Sequence, residues 1–595
     1  MTRHASPTPD APPPAPPPAT PRRRPPSREQ LARIQIGRTA IRRPTAWLLI
    51  GLFLATIAAP GLWQHGHALR VYLADRAADE PTAWRDARPA VHEITDLLPR
   101  GHDIIATRSL ADALALLPTE QDIDAFETAV EEDARTHELI MPGVQWAMTA
   151  LGRTGNEQAW VGRDGWLFYQ PDVEYVTGPP FMQTRRLMEI GRFTDRQPDP
   201  VAAILDTRDQ LARRGIELVI MPTPVKPQVH PEKLTRRYDD ASPPLNNPSY
   251  DAFLAALADA DVRVLDPLPL LHERKRRTGR PQYLAADTHW TPDAMDAVAG
   301  ALAARLREDA LLTDRGHMDV TRQRASAAHL GDVAIMLKLP HWQRRYQSQA
   351  VDIHHVAVGG EPWRPQRPAP VLLLGDSFTN IYAMAELGWG EHAGLAEQLA
   401  YHLQAPVDRI ARNAGGAYAA RQQLAQALRR GEDRLAGVQV VVWQFATREL
   451  LTGNWRLIDL PTPATPATPA TTSTMPAVEA QPAEHDADAI MIRARVLDIA
   501  RPPRPGTVAY ADAVISVHLA DIEIIAGQLD EDELLVYMLG MRDNQWTAPA
   551  TWREGDRVEL TLRHWDDVAG RYERLQHLML GDVEFELLPW WGESR

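Results

Sequence analysis

Cysteine is absent from the 595-residue chain, and aromatic residues make up only 7% of it. Without cysteine the protein has no disulfide bonds, no cysteine nucleophile and no thiolate metal site. The histidines are scattered, and we interpret His230, His354 and His355 as surface or loop residues rather than as ligands. We therefore expect no metal site and no cofactor.

Basic residues are concentrated at the N-terminus. Residues 1–45 are rich in proline and carry nine arginines against Asp10 and Glu29, whereas the whole chain has a formal net charge of −14. With almost no apolar periodicity, this stretch is predicted to be a disordered cytoplasmic arm. The acidity of the remainder argues against nucleic-acid binding, and we expect no nucleic-acid partner.

One long stretch of the N-terminal region has no charged residue at all. Residues 46–63 are apolar and are flanked on the N-terminal side by Arg42 and Arg43. A run of this length is just sufficient to span a bilayer, and the preceding arginines predict a cytoplasmic N-terminus with the bulk of the chain outside. A cleaved signal peptide is the alternative, but the preceding segment is too long for a typical n-region and no clear cleavage site follows.

Pattern changes predict four further segments. Residues 65–155 favour helices and loops, and we interpret them as a helical lead-in. In residues 156–458 apolar β-type runs alternate with amphipathic helical stretches, which is typical of an α/β domain with a mostly parallel sheet flanked by helices. A Pro/Ala/Thr repeat in residues 459–487 predicts an extended linker. Short alternating strands in residues 488–595 predict a small all-β barrel or sandwich of unknown role.

A candidate nucleophile follows one of the apolar runs. The buried-type strand Val371–Leu374 leads directly into Gly375-Asp376-Ser377-Phe378. Reaction sites of open α/β sheets lie just beyond the carboxyl ends of strands, where Ser377 is expected. An ordinary turn is the alternative, because glycine and aspartate are common turn residues.

A candidate base precedes the serine in the chain. Asp287-Thr288-His289-Trp290 is followed by Thr291, a typical N-cap, and Pro292, a typical first helical residue. In an extended segment the side chains of Asp287 and His289 lie on the same face, so the carboxylate can orient the imidazole that activates Ser377. Alternatively, Asp287 caps the turn and His289 is an ordinary loop histidine.

Several fragments resemble the alginate O-acetylation proteins of the AlgJ and AlgX type, which have an SGNH hydrolase-like domain. The Asp-x-His block precedes the serine block here, which is the reverse of the usual order in secreted SGNH esterases and matches the acetylation proteins. The fragments that carry the resemblance are Val161–Phe168, Pro222–Lys226, Asp287–Trp290, Gly375–Phe378, Asn413–Tyr418 and Trp443–Leu450.

The resemblance implies an acetyltransferase that modifies an exopolysaccharide, alginate-like or other, in the periplasm, with its anchor in the inner membrane. Ser377 then carries the acetyl group as an ester, His289 acts as general base and acid, and Asp287 orients His289. The tetrahedral intermediates need N–H donors. Candidates are the Ser377 N–H, Asn413 and the Gly415-Gly416 turn, although that pair is equally compatible with a plain turn.

Three cationic residues are further pocket candidates. Arg421 and Arg448 are placed to bind an anionic sugar or the acetyl carbonyl, and Lys226 follows a predicted strand end. Each arginine is equally able to pair with an acidic neighbour, so their roles stay open.

Two alternatives to transfer also remain. Water and a sugar hydroxyl are equivalent nucleophiles toward an acyl-serine, so the same residues suit a carbohydrate acetylesterase; a non-catalytic polysaccharide-binding or assembly scaffold is the third possibility. The resemblance further implies an MBOAT-type membrane partner that passes acetyl groups across the membrane. The C-terminal β segment does not obviously match the carbohydrate-binding module of the soluble family members.

Overall fold

The structure is a computed structural model that covers most of the chain beyond residue 134. The described residues are 66, 69–70, 73, 135–193, 197–312, 317–413, 415–461, 490–503, 508, 510–529, 531–572, 575–580 and 587–594.

Several predictions from the sequence lie outside the described residues. These are the N-terminal arm (1–45), the anchor (46–63), most of the helical lead-in and nearly all of the Pro/Ala/Thr linker. Among the residues that are described, no helix has both the length and the apolarity that crossing a bilayer requires.

The strands fall into two groups separated by the linker. In chain order they are β1 (Ala159–Val161), β2 (Leu167–Tyr169), β3 (Glu217–Thr223), β4 (Arg263–Val264), β5 (Val320–His329), β6 (Gln349–Val358), β7 (Glu361–Pro362), β8 (Val371–Gly375), β9 (Val407–Ala411), β10 (Val440–Ala446), β11 (Ile490–Ile499), β12 (Ala513–Ala526), β13 (Leu534–Arg542), β14 (Gln545–Trp546), β15 (Arg557–His564), β16 (Gln576–Leu578) and β17 (Pro589–Ser594).

The helices of the described residues accompany the first group of strands, except for the last, which lies in the second group. They are α1 (Arg135–Ala147), α2 (Gln170–Thr177), α3 (Thr184–Phe193), α4 (Pro200–Ala212), α5 (Lys226–Val229), α6 (Pro231–Leu234), α7 (Tyr250–Asp259), α8 (Pro267–Thr278), α9 (Pro292–Glu308), α10 (Asp332–Met336), α11 (Ser377–Asn380), α12 (Leu395–Leu403), α13 (Ala419–Arg429), α14 (Glu449–Thr452) and α15 (Trp565–Tyr572). Short π- and 3₁₀-helical turns lie at Met148–Gly152, Ala385–Leu387 and Ala548–Thr551.

A parallel sheet forms the centre of the first group. Its strand order is β4-β3-β10-β8-β9, and all four neighbouring pairs are parallel. Every residue of β8 and β10 is buried, as expected for strands covered by helices on both faces. This confirms the predicted α/β domain, to which β5, β6 and β7 add a separate antiparallel sheet.

Strand register brings three loops to one edge of this sheet. Gly375 at the end of β8 pairs with Ala411 at the end of β9, while β10, on the other side of β8, continues to Ala446. The chain segments that follow these strands therefore begin side by side at the carboxyl edge, where ligand sites of such sheets are found.

The second group of strands closes into a barrel. The order β13-β17-β15-β11-β12 is completed by pairing of β12 with β13, and β14 and β16 extend it at β13 and β12. Alternate residues of β11 and β15 face an apolar core that includes Ile492, Val496, Leu560 and Leu562. The predicted small β domain is thus a barrel rather than a sandwich.

We predict that Leu373→Ala lowers the free energy of unfolding by about 2–5 kcal/mol, because it leaves a cavity at a fully buried position of β8. Leu457→Ala is the matched control: that leucine is 57% exposed, so a change of at most about 0.5 kcal/mol is expected. Chemical denaturation followed by tryptophan fluorescence measures both, and equal losses would contradict the burial of β8.

Candidate active site

Ser377 begins the short helix α11 directly after β8. Asp376 is its N-cap in an extended conformation, and its carboxylate accepts a hydrogen bond from Phe378 N at 2.8 Å. The strand-to-helix turn is tight: a Cβ atom on Gly375 would lie 2.2 Å from Thr379 Oγ1. Glycine at this position therefore allows the turn that exposes the serine at the strand end.

Side-chain hydrogen bonds from β10 hold the same turn. Gln444 Oε1 accepts from Asp376 N at 3.0 Å and from Thr379 Oγ1 at 2.8 Å. The second carboxylate oxygen of Asp376 accepts from Ala446 N at 2.8 Å. Because Gln444 and Asp376 are buried, these bonds are protected from water and fix the position of Ser377. The structural role of Asp376 and Gln444 was not anticipated from the sequence.

Asp287, His289 and Ser377 form a continuous chain of hydrogen bonds. His289 Nδ1 lies 2.7 Å from Asp287 Oδ1, and His289 Nε2 lies 2.8 Å from Ser377 Oγ. With the proton on Nδ1, the imidazole donates to the carboxylate and Nε2 is left to accept from the hydroxyl. The three residues that the sequence singled out are thus together in the arrangement that activates a serine hydroxyl.

Asp287 is held as a carboxylate by its surroundings. Burial opposes its ionisation, but the hydrogen bond with His289 and the N–H groups of Asp332 and Trp389 keep its pKa below the ordinary value. Trp389 Nε1 donates to Asp287 Oδ2 at 2.8 Å, and Asp332 N donates to the same oxygen at 3.0 Å. An ionised Asp287 stabilises the imidazolium that forms when His289 takes a proton.

A second carboxylate, which the sequence did not suggest, lies beside this pair. Asp332 Oδ2 is 3.7 Å from His289 Nδ1, and Asp332 Oδ1 accepts from Thr288 N at 2.7 Å. Burial and the charge of Asp287 raise the pKa of Asp332 to about 6. Asp332 lies on α10, far from the Asp-x-His motif in the chain, so no spacing pattern identified it.

The pKa of His289 is set by opposing effects. Burial lowers it, whereas the hydrogen bond with Asp287 and the charges of Asp287 and Asp332 raise it, and the net shift is upward. His289 is only 5% exposed, so water screens the interaction of its ring with these charges only weakly. His289 therefore has a stronger affinity for a proton than an exposed imidazole.

The side chains of Asp287, His289 and Asp332 also lie close enough to share a metal ion, with candidate ligand atoms within 4.8 Å of one another. Hydrogen bonds account for this proximity. Both oxygens of Asp287 accept from neighbouring N–H groups, and His289 Nδ1 is bonded to Asp287. The cluster therefore has a complete explanation as a hydrogen-bonded carboxylate–imidazole unit.

Asn413 follows β9 at the same edge of the sheet at which Ser377 follows β8. Gly375 of β8 pairs with Ala411 of β9, and the two strands lie about 4.8 Å apart. Ser377 comes two residues after Gly375, and Asn413 comes two residues after Ala411. Asn380 Nδ2, on the helix that begins with Ser377, donates to Asn413 Oδ1 at 3.0 Å.

Within the described residues, the amide nitrogen of Asn413 has one weak hydrogen-bond partner, Met384 Sδ, at 3.9 Å. A thioether is a poor acceptor, so this N–H₂ group is free to donate to a developing oxyanion. The Ser377 N–H is a second donor, because no acceptor for it is found within the described part of the chain.

The Gly415-Gly416 turn packs tightly against its neighbours. A Cβ on Gly415 would lie 2.4 Å from the Ala419 Cβ, and one on Gly416, where φ is +59°, would lie 2.7 Å from Glu449 Oε2. These contacts account for both glycines by close packing. A plain turn and an oxyanion donor are both compatible with this packing, so the oxyanion role of the pair stays a prediction.

Arg448 is close to the site but already paired. Its Nη1 donates to the buried Asp172 at 3.0 Å, and its guanidinium lies 5.7 Å from the ring centre of Phe378 and 5.4 Å from that of Tyr169. It therefore packs over the residue that follows Ser377. The sequence left open whether Arg448 binds substrate or pairs with an acidic residue, and in the structure it pairs with Asp172.

Lys226 lies behind Asp287 rather than in an open pocket. It is fully buried, and its Nζ donates to Leu167 O at 2.6 Å and to Ala285 O at 3.2 Å. Burial lowers its pKa to about 8, although the nearby carboxylates of Asp287 and Asp332 raise it. Its contribution to the site is electrostatic, without contact with solvent.

Arg421 differs from the expectation of a substrate-facing arginine. It is 1% exposed, its guanidinium lies 4.4 Å from the ring centre of Trp443, and it donates to Arg456 O at 3.0 Å. The reason is tertiary packing: Arg421 is buried in the first turn of α13, and its guanidinium lies over the ring of Trp443 in β10.

Residues 159–447 match the family described as "SGNH hydrolase-like domain, acetyltransferase AlgX". These residues include β1 to β10, and with them Asp287, His289, Ser377 and Asn413. The matched region thus contains the whole hydrogen-bonded site.

Two curated relatives carry the name probable alginate O-acetylase AlgJ. The protein from Azotobacter vinelandii is 26% identical over 43% of this chain and 63% of its own length. The protein from Pseudomonas aeruginosa is 31% identical over 30% of this chain and 41% of its own length. The chain therefore spans less than two thirds of the length of either relative.

Solved structures of the same type are also similar. The O-acetyltransferase domain of Pseudomonas putida AlgJ is 24% identical and covers 50% of this chain and 93% of that domain, with a TM-score of 0.38. Pseudomonas aeruginosa AlgX is 16% identical and covers 67% and 89%, with a TM-score of 0.36. Residues 159–447, which match the family model, are thus similar to SGNH hydrolase-like domains of the AlgX acetyltransferase type.

Proposed function

We propose that this protein is an O-acetyltransferase that is anchored in the inner membrane and transfers acetyl groups through an acetyl-Ser377 intermediate to hydroxyls of an exopolysaccharide in the periplasm. One observation carries the proposal: the hydrogen-bonded chain from Asp287 Oδ1 through the His289 ring to Ser377 Oγ, with links of 2.7 and 2.8 Å.

In the first half-reaction the serine becomes acetylated. His289 Nε2 takes the proton of Ser377 as Oγ attacks the carbonyl carbon of the acetyl donor, and Asp287 stabilises the imidazolium. Collapse of the tetrahedral intermediate releases the donor's leaving group, which takes the proton from His289. The oxyanion is stabilised by the Ser377 N–H and by the amide nitrogen of Asn413.

The second half-reaction repeats these steps in reverse with a sugar hydroxyl. His289 takes the hydroxyl proton, the sugar oxygen attacks the acetyl-serine, and the proton returns to Ser377 Oγ as the ester bond to the serine breaks. Water in place of the sugar would give hydrolysis, so acceptor binding decides between a transferase and an esterase.

Sequence and similarity support the rest of the proposal. The relatives are named alginate O-acetylases, which supports a polysaccharide acceptor, alginate-like or other. The apolar run of residues 46–63 after Arg42 and Arg43 supports a single-pass anchor. Because such an anchor cannot carry acetyl groups across the membrane, an MBOAT-type partner is proposed to supply them.

We predict that full-length protein incubated with 4-nitrophenyl acetate gains one acetyl group on Ser377, detected by peptide mass spectrometry. Ser377→Ala is expected to abolish the adduct, because no other hydroxyl of the site is paired with an imidazole. Ser326→Ala, an exposed serine on β5, serves as the control and should retain it.

Adding acetyl-free oligosaccharides distinguishes the possible outcomes of that experiment. Movement of the acetyl group from Ser377 to the sugar is the expected result for a transferase. Release of acetate that no acceptor changes would instead support an esterase. Polymer acetylation that survives Ser377→Ala in cells would contradict any catalytic role of this serine.

We also predict that kcat/KM for the acetyl ester rises with pH through a midpoint above 6.5, because His289 must be neutral to act as a base and its pKa is raised. Asp332→Asn should move this midpoint to lower pH, because it removes a negative charge that raises the pKa of His289. Initial rates between pH 5 and 9 measure the shift.

Asp352→Asn is the matched control for the pH profile. Asp352 is exposed on β6 and pairs with Arg324, so the midpoint should stay unchanged. A midpoint in Asp332→Asn that equals or exceeds that of the wild type would show that Asp332 does not act on His289.

A further inference from the structure

The C-terminal barrel contacts the loop that carries Asn413. Gln576 Nε2, on β16, donates to the backbone oxygen of Asn413 at 3.0 Å, although the two residues are 163 positions apart. Gln576 is 5% exposed, so this hydrogen bond is largely shielded from water. A side chain of the barrel thus reaches a residue that is itself hydrogen-bonded to Asn380, on the helix that begins with Ser377.

Two independent interactions within the barrel fix the position of Gln576. Its backbone is part of the short parallel ladder of β16 with β12, where it pairs with Ala513. The next residue, His577, is buried between the rings of Tyr537 and Trp565, at centroid distances of 5.3 and 5.7 Å. Gln576 is therefore presented to the loop by a rigid support.

Side chains from both parts of the protein hold Asn413. The turn that follows at Gly415 and Gly416 is packed closely against Ala419 and Glu449. Within the SGNH-like domain Asn380 holds the carboxamide oxygen of Asn413, at 3.0 Å, but the carbonyl of the Asn413 peptide is held from outside by Gln576. The direction of the Asn413 side chain therefore depends on both contacts.

We propose that the barrel is a positioning element of the active site, in which Gln576 fixes the backbone of Asn413 so that the Asn413 carboxamide N–H₂ points at the oxyanion. This inference rests on the proposed function. Gln576 does not touch substrate; it acts through Asn413. It also gives the C-terminal domain a role that the acetylation chemistry of residues 159–447 does not by itself require.

The first test measures kcat and KM of the full-length protein with 4-nitrophenyl acetate. Gln576→Ala should lower kcat roughly tenfold with KM unchanged, a smaller loss than the ~100-fold expected when an oxyanion donor such as Asn413 is removed. Gln576→Glu, which keeps the size but cannot donate when ionised, should behave like Gln576→Ala. Gln545→Ala, on the exposed strand β14, is the control and should leave kcat unchanged.

A double-mutant cycle shows whether Gln576 acts through Asn413. Gln576→Ala should have no further effect in an Asn413→Ala background, since the group that it positions is then absent. An equal loss of kcat in both backgrounds would overturn the proposal. So would wild-type activity of Gln576→Glu, which would mean that packing volume alone matters.

Hydrogen exchange provides a readout that does not depend on activity. In Gln576→Ala, amides of residues 411–420 should exchange at least tenfold faster, whereas those of residues 217–223 in β3 should be unchanged. Unchanged exchange in the first segment would overturn the proposal even if Ser377 proves catalytic. Faster exchange without any Ser377-dependent turnover would instead show that Gln576 restrains the loop but that the proposed function is wrong.

Discussion

The parallel register of β9, β8 and β10 is the constraint on which the site depends. It brings the ends of these three strands, Gly375, Ala411 and Ala446, to one edge of the sheet. Ser377 and Asn413 follow two of these ends, and the N–H of Ala446 donates to Asp376. Because every residue of β8 and β10 is buried, a shift of one residue would exchange the side chains that face the two sides of the sheet and disrupt the packing on both. The same strand register therefore satisfies both the packing of the core and the geometry of the site.

The electrostatics of the site follow from burial combined with complete hydrogen bonding of one carboxylate. Asp287 is buried, but it stays ionised because His289, Trp389 and the Asp332 N–H all donate to it. Its charge in turn raises the pKa values of both His289 and Asp332. A buried charge would be costly without these donors, so residues far apart in the chain must fold together before the base is formed.

The arrangement of the site also involves the C-terminal barrel, outside the α/β domain. Its core is separate from that of the sheet, yet β16 lies against the loop after β9 and Gln576 bonds to Asn413. His577 is buried in the barrel near Arg412, and burial together with that charge holds its pKa well below the ordinary value. A neutral imidazole is compatible with the neighbouring guanidinium, so the contact is suited to a stable packing of the two parts.

The sequence alone determined the α/β domain, the β domain and the residues Asp287, His289 and Ser377, because alternating apolar runs and short motifs are local properties of the chain. It also carried the resemblance that the match of residues 159–447 bears out. Only the tertiary structure decided that Asp332 and Trp389 join the site, that Arg421 is buried against Trp443, and that Gln576 reaches Asn413. The physical reason is that these contacts join residues distant in the chain, and their distances and pKa shifts depend on strand register and burial, which no local pattern encodes.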